Sequence, residues 1–348
     1  MKTKHFIVEK EQPDKQILAQ AAELLKAGKL VAFPTETVYG LGANGLDSEA
    51  VAGIYQAKGR PSDNPLILHI AQQEEIRQLV THIPPNAQVL MDTYWPGPLT
   101  LVLKRKDIVP DIVAGGLDTV AIRLPASTIA RELIALAGVP IAAPSANTSG
   151  RPSPTSAKDV LDDLAGRIDA IIDGGHCDIG VESTVVDCTT PVPTLLRPGG
   201  ITLEMLLDTL GEIETDPALE GGELIPKSPG MKYTHYAPSA PMILIEGTYP
   251  QILHNMMQEI QTSLVAGKKV GAILSLESAE HLPSEVTGAI YGSRQQVKDI
   301  AANLYTVLRS FDNNPVDIIY AEGIEEQGLG LAVMNRLRKA SGYRIVKG

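Results

Sequence analysis

The chain lacks any apolar run approaching the eighteen or so residues of a membrane-spanning helix, so no membrane partner is expected. Its N-terminus, MKTKHFIVEKEQPDK, has no apolar stretch fit for the core of an export signal, which makes the cytoplasm the expected compartment. Cysteine is scarce. Cys177 and Cys188 are the only two, without CxxC spacing or a nearby histidine pattern, so no zinc site is indicated and both read as reduced structural thiols. A basic excess is missing too: 30 Lys and Arg stand against 41 Asp and Glu, a formal net charge of −11. Proteins that grip polyanions carry a basic footprint. Strong direct nucleic-acid binding is therefore not expected, and any part in RNA metabolism would run through a small molecule or a protein partner. There is no GxxxxGK[ST], hence no Walker-type phosphate loop. Glu36, Asp118, Glu182 and Asp187 are scattered acids without pair spacing, and none identifies itself as a general base.

What is present is an ordinary core-forming composition, 44% hydrophobic and 20% charged. At 348 residues the chain exceeds a usual single domain, so two are expected. Over residues 15–27 the apolar spacing of Ile17, Ala21, Leu24 and Leu25 is that of an amphipathic helix, with Asp14 placed to cap it and Gly28 to end it. Residues 30–33 read as a buried strand stopped by Pro34. Short apolar runs at 66–70, 99–104, 119–124, 140–143, 170–172, 184–187 and 194–196 read as further strands. Helical patterns fall at 47–57, 128–137, 156–164 and 202–214. Residues 1–214 are thus expected to form an α/β domain with a largely β central sheet. Residues 215–240, rich in proline and glycine, are a linker by composition. From 241 to 348, strand runs (MILIE, KVGAILS, GAIYG, VDIIYAE) alternate with helical stretches at 250–265, 294–310 and near 328–340. That alternation predicts a small doubly wound, Rossmann-like domain with a parallel sheet.

Two polar, Gly/Pro-punctuated loops interrupt this apolar background. KGRPSDNPLILH at 58–69 carries Lys58 and Arg60, cations that suit phosphate oxygens, one as a point charge and one as a fork. PSANTSGRPSPTS at 144–156 carries Ser145, Asn147, Thr148, Ser149 and Ser153, neutral hydrogen-bonding groups with no carboxylate among them. Together they point to an anion site for a nucleotide. A Lys-x-Arg at a helix end can also be a solvated terminus favoured by the macrodipole, but here Pro61, Asn64 and Pro65 fix a turn. The Ser/Asn loop can equally satisfy its own backbone, and both roles are compatible. Gly40-Leu-Gly42-Ala-Asn-Gly45 formally matches GxGxxG, yet the next strand ends at His69 instead of an acid, so a plain turn is the reading. Arg123 sits inside an apolar strand, TVAIRLP; a buried guanidinium needs an anion, supplied by the protein or by a substrate.

These loops, with PTETVYGLGAN at 34–44, STVVD at 183–187 and LLRPG at 195–199, closely resemble the YrdC/YwlC-like threonylcarbamoyl-AMP synthase family. Its Lys-x-Arg and Ser-x-Asn signatures stand here as Lys58/Arg60 and Ser145/Asn147, and SPGMKYTHYAP at 228–238 looks like the linker of its two-domain members. The resemblance implies a YrdC-like twisted mixed-sheet domain ahead of the Rossmann-like one. It also implies a nucleotidyltransferase that makes threonylcarbamoyl-AMP and pyrophosphate from L-threonine, bicarbonate and ATP. The product would pass to a downstream tRNA-threonylcarbamoyl transferase complex for threonylcarbamoyladenosine (t6A) modification.

By the same resemblance Lys58 and Arg60 are catalytic. They bind the nucleotide with Ser62, Thr119, Ser145, Asn147, Ser153, Arg197 and Tyr236. Thr35, His69, Arg123, the backbone at Ala143, and Ser183 would hold threonine. Mg2+ is expected on the ATP phosphates, since it retains hydration, and no protein metal cage is visible. The linker, with Lys232, Tyr233, His235 and Tyr236, is implied to reach the active site as a lid. Two other readings stand beside this one. A carbamoyl-adenylate-forming enzyme of hydrogenase maturation shares the fold but carries Cys-rich zinc modules that two cysteines cannot supply. A double-stranded-RNA-binding or ribosome-associated module would bind RNA with a steep salt dependence, against which the net charge weighs.

Overall fold

The capped patterns fold as helices and the apolar runs as strands in the computed structural model, which describes residues 2–220 and 235–348. The chain opens with β1 (Lys4–Ile7), α1 (Lys15–Lys26), β2 (Val31–Pro34), β3 (Tyr39–Asn44), α2 (Ser48–Lys58) and β4 (Ile67–His69). It continues through α3 (Ile76–Leu79), α4 (Pro85–Tyr94), β5 (Leu99–Lys104), α5 (Asp111–Ala114), β6 (Thr119–Arg123), α6 (Thr128–Ala137) and β7 (Ile141–Ala142). Then follow α7 (Ala157–Leu164), β8 (Ala170–Asp173), β9 (Thr184–Asp187), β10 (Thr194–Arg197), α8 (Leu203–Leu210) and β11 (Glu214–Thr215). The last segment holds β12 (Met242–Glu246), α9 (Tyr249–Val265), β13 (Val270–Ser275), α10 (Leu276–Ala279), β14 (Thr287–Gly292), α11 (Val297–Ser310), β15 (Ile318–Glu322), α12 (Gly330–Ala340) and β16 (Ile345–Lys347).

Local chemistry sets the helix starts. The Asp14 carboxylate accepts from Gln16 N and Ile17 N ahead of α1, and the Asp47 carboxylate from Glu49 N and Ala50 N ahead of α2. Each such cap contributes about 1 kcal/mol. α4 was not expected; Pro85 stands at its first turn and it buries Ala87, Leu90 and Met91 at helical spacing. The helix expected over 202–214 ends at Leu210, where Gly211 turns the chain with φ 76°, and residues 214–215 form β11.

The chain groups into two units: Met1–Ser149 with Ser153–Lys232, and Gly150–Pro152 with Tyr233–Gly348. The first unit is built on an eleven-stranded mixed sheet ordered β1-β8-β2-β3-β7-β4-β6-β5-β9-β10-β11. The second holds a five-stranded sheet ordered β14-β13-β15-β12-β16, parallel throughout, as a doubly wound domain requires.

The plain-turn reading holds for Gly45, which turns the chain after β3, and is overturned for the two glycines before it. Gly40 and Gly42 lie within β3, paired antiparallel with β2. A Cβ on Gly42 would lie 2.7 Å from a Phe33 ring carbon and 2.9 Å from Ile141 Cγ2, so glycine is there for close packing of neighbouring strands.

Alternation along the strands divides the first sheet's side chains between two faces. Leu41, Leu68, Leu101, Val120, Ile122, Val186 and Leu195 belong to the large core on one face. On the other, Val31, Phe33, Ile141 and Ala143 pack under α1 and α6, while Ile67, Val102, Ala121, Val185 and Leu196 make a separate small apolar patch.

Candidate active site

The small apolar patch floors the site. Residues two apart on a strand share a face, so His69 stands with Ile67 on β4, Arg123 with Ala121 on β6, Thr100 with Val102 on β5, and Ser183 with Val185 at the start of β9. Cross-strand register aligns His69 with Arg123, Arg123 with Thr100, and Thr100 with Val185. Of the residues expected at the threonine site, His69 and Arg123 thus fall in one row, which Thr100 and Val185 continue across four strands, while Ser183 stands two residues before Val185. Thr119, on the same face, opens β6 opposite Lys104. It lies about 13 Å along the strand from Arg123, so the nucleotide and amino-acid assignments take opposite ends of β6.

Arg123 is 4% exposed, and its anion is a protein carboxylate: Nη2 donates to Glu36 Oε1 at 2.6 Å. Nη1 donates to Thr37 Oγ1 at 2.9 Å and Nε to the Gly97 carbonyl at 3.4 Å. Glu36 and Thr37 come from the turn between β2 and β3, which is braced from within. Thr35 Oγ1 donates to the Val38 carbonyl at 2.7 Å, accepts from Thr37 N at 3.1 Å, and lies 2.8 Å from Thr37 Oγ1. Thr35 therefore reaches the Arg123 cluster through Thr37.

His69 is buried beside this pair, its Nδ1 3.3 Å from the Ile67 carbonyl and its ring edge-on to Phe33. Burial, reinforced by the Arg123 charge, lowers its pKa to about 3, so the imidazole is neutral at physiological pH. Ser183 Oγ lies 2.7 Å from Thr100 Oγ1 and accepts from Arg197 Nη2 at 3.1 Å, while Arg197 Nε donates to the Ser183 carbonyl at 3.0 Å. Arg197, assigned to the nucleotide, is thus anchored on a residue assigned to threonine. Ala143 donates its amide to the Ile67 carbonyl at 3.0 Å.

Lys58 is not a solvated helix end. It is 1% exposed, and its Nζ donates to the Ser145 carbonyl, to the Asn147 carbonyl at 2.6 Å and to Asn147 Oδ1 at 3.4 Å. Gly59, with φ 63°, turns the chain directly after it. The two signature loops are therefore joined through one ammonium. The Ser/Asn loop also satisfies itself, Ser145 Oγ donating to Asn147 Oδ1 at 2.6 Å and Asn147 Nδ2 to the Thr148 carbonyl at 2.9 Å. Arg60 Nη2 donates to the Pro65 carbonyl at 3.3 Å, and Ser62 is exposed on the same turn. Ser153 Oγ donates to Glu182 Oε1 at 2.5 Å, one residue before Ser183. Tyr236 belongs to the second unit, where it is buried with φ 65° and packs on Tyr305 at 5.3 Å and under Arg336 at 5.9 Å. Lys232 and Tyr233 of the expected lid lie outside the described residues.

The four scattered acids take distinct roles: Glu36 on Arg123, Glu182 on Ser153, Asp118 on Lys104, and Asp187 on its own turn through Thr189. Sequence reasoning did not assign Glu36, Thr37 or Thr100 to the site. The one signal for Glu36 was the demand of a buried arginine for an acid. Both cysteines are buried, and burial raises the Cys188 thiol to about 12, with Asp187 adding to the shift. No helix among the described residues is long and apolar enough to cross a membrane.

The Sua5/YciO/YrdC family model, described as telomere recombination, matches residues 23–199, and the model for the threonylcarbamoyl-AMP synthase C-terminal domain matches 201–342. The threonylcarbamoyl-AMP synthase of Pyrococcus abyssi is 54% identical over 94% of each chain. The chain belongs to the threonylcarbamoyl-AMP synthase family. The Bacillus subtilis synthase is 50% identical over the whole of both chains. Among solved structures, P. abyssi Sua5 complexed with L-threonine is 51% identical and superposes with a TM-score of 0.94 over 99% of this chain and all of that one. A histidine/tyrosine double-alanine variant of P. abyssi Sua5 matches equally, at TM-score 0.94 and 51% identity over 99% and 98% of the two chains.

Proposed function

We propose that this member of the threonylcarbamoyl-AMP synthase family is a nucleotidyltransferase that joins L-threonine, bicarbonate and the AMP moiety of ATP, releasing pyrophosphate. The observation that carries the reading is a pair of buried cations in different surroundings. Arg123, in a row with His69 and near Ser183, suits a planar carboxylate, which guanidinium binds as a fork. Lys58, held by the oxygens of the Ser-x-Asn loop, suits phosphate as a point charge. The threonine complex of the P. abyssi relative supports threonine as a ligand.

In this reaction the threonine amine takes up bicarbonate as a carbamate with loss of water. A carbamate oxygen then attacks the α-phosphorus as the bond to pyrophosphate breaks. No covalent protein nucleophile is needed, so positioning and charge stabilisation supply the rate. Lys58 and Arg60 offset the phosphate charge, with Ser62, Thr119, Ser145, Asn147, Ser153 and Arg197 holding the nucleotide. Thr35, His69, Arg123, Ala143 and Ser183 hold threonine.

Mg2+, when bound with ATP, would supply charge neutralisation on the phosphates. The described residues contain no group of three or more His, Cys, Asp or Glu that could hold it. An ion carried mainly by phosphate and water oxygens is the expectation, because Mg2+ retains its hydration. The product passes to a tRNA-threonylcarbamoyl transferase complex for t6A formation in the cytoplasm, and this chain has no need to grip RNA. Pyrophosphate release is expected to require threonine and bicarbonate together, with the adenylate identified by mass spectrometry. Equal release when either is omitted refutes the reading.

A further inference from the structure

We propose that Glu36 is a positioning residue that aims the Arg123 guanidinium at the carboxylate of the amino-acid substrate; this rests on the threonine reading above. An arginine side chain has five N–H groups, one on Nε and two on each terminal nitrogen. Three are held by the protein: Nη2 by Glu36, Nη1 by Thr37 and Nε by the Gly97 carbonyl. One N–H remains on Nη1 and one on Nη2, and these are what the guanidinium can offer a substrate carboxylate. Three grips from two chain segments fix the plane of the guanidinium and so fix where that pair points.

Each grip is itself held. Glu36 is 9% exposed, and its second oxygen accepts from Ser127 N at 3.4 Å, the cap residue of α6. Thr37 is tied to Thr35. The Gly97 turn admits only glycine, because a Cβ there would lie 2.3 Å from the Tyr94 carbonyl oxygen. Glu36 thus acts through Arg123 and need not touch substrate. Its charge also keeps the buried guanidinium compensated while the site is empty.

The test is a double-mutant cycle with E36Q and R123K, read as the calorimetric Kd for L-threonine and separately for ATP. Melting curves check folding, and E36D serves as a conservative rescue. E36Q is expected to weaken threonine at least tenfold and to leave ATP within twofold. In the R123K background, where no fork exists to aim, E36Q is expected to change threonine affinity less than twofold. E36D, which keeps the charge, is expected to recover part of the loss. An undiminished E36Q penalty in R123K, or equal losses for threonine and ATP, overturns the positioning role. Failure of the parent protein to bind threonine at all refutes the threonine reading instead. If E36Q melts too low for titration, the cycle is run with E36D, whose shorter side chain draws back from Nη2: a threonine loss that shrinks in R123K sustains the positioning role, and an undiminished one overturns it.

Discussion

His69 makes stability depend on pH in a calculable way. Its pKa in the folded chain is about 3, against about 6.5 when unfolded, with burial the larger cause and the Arg123 charge the second. Between those values the unfolded chain binds the proton and the folded chain does not. Stability therefore falls as pH falls through 6.5 and continues to fall toward 3; above about pH 7 the residue contributes nothing to the slope. Each pH unit in that window is worth about 1.4 kcal/mol, so by pH 4.5 the loss from this group is roughly 3 kcal/mol. His69→Leu removes the titration while filling similar space. Urea unfolding of both proteins can be followed through Trp95, the only tryptophan and a buried one in the first unit, whose Nε1 donates to the Leu99 carbonyl at 2.8 Å. Other titrating groups cancel to first order when the two stabilities are subtracted. The difference should be flat from pH 8 to 7 and then move against the parent by about 1.4 kcal/mol per unit. A difference that stays flat down to pH 4.5 would mean that the imidazole protonates freely in the folded chain, and the burial argument fails.

Lys58→Met should destabilise the first unit by about 2 kcal/mol, because the ammonium binds two loop carbonyls in a buried place. It should weaken ATP more than threonine, as titration calorimetry will show; an unchanged ATP affinity refutes the phosphate assignment. Gly42→Ala should lower the melting temperature through a clash worth about 1–3 kcal/mol, and an unshifted Tm would mean that the strands move apart easily. Ser153→Ala removes a hydrogen bond to Glu182 and should cost about 1–2 kcal/mol, with a rise in KM for ATP that steady-state kinetics can measure.

The helix starts were legible because a cap is local chemistry, a carboxylate two or three residues from the amides that it satisfies. The strands were legible where apolar runs met turn residues. β3 was not: its glycines look like a turn to any local rule, and only the nearness of Phe33 and Ile141, one on a neighbouring strand pair and the other about a hundred residues away, explains them. Strand order was also out of reach. β8 lies between β1 and β2 through pairings over more than a hundred residues, which no window of sequence contains. The site was half legible: the resemblance supplied residue types and positions, but that Glu36 answers Arg123 and that Lys58 binds the Ser-x-Asn loop depends on which side chains the fold brings within three ångströms.

The Lys58 ammonium, fixed by loop oxygens before any ligand arrives, changes where an entropic cost falls. A lysine free in solvent would surrender up to about 2 kcal/mol of rotamer freedom on seizing a phosphate; this one has surrendered it during folding. On the proposed assignment a nucleotide would meet a charge already in place, and the discrimination built into that geometry would be steric as well as electrostatic. Arginine would keep the charge and still fail, because a planar guanidinium is bulkier than the ammonium that nestles between the carbonyls of Ser145 and Asn147.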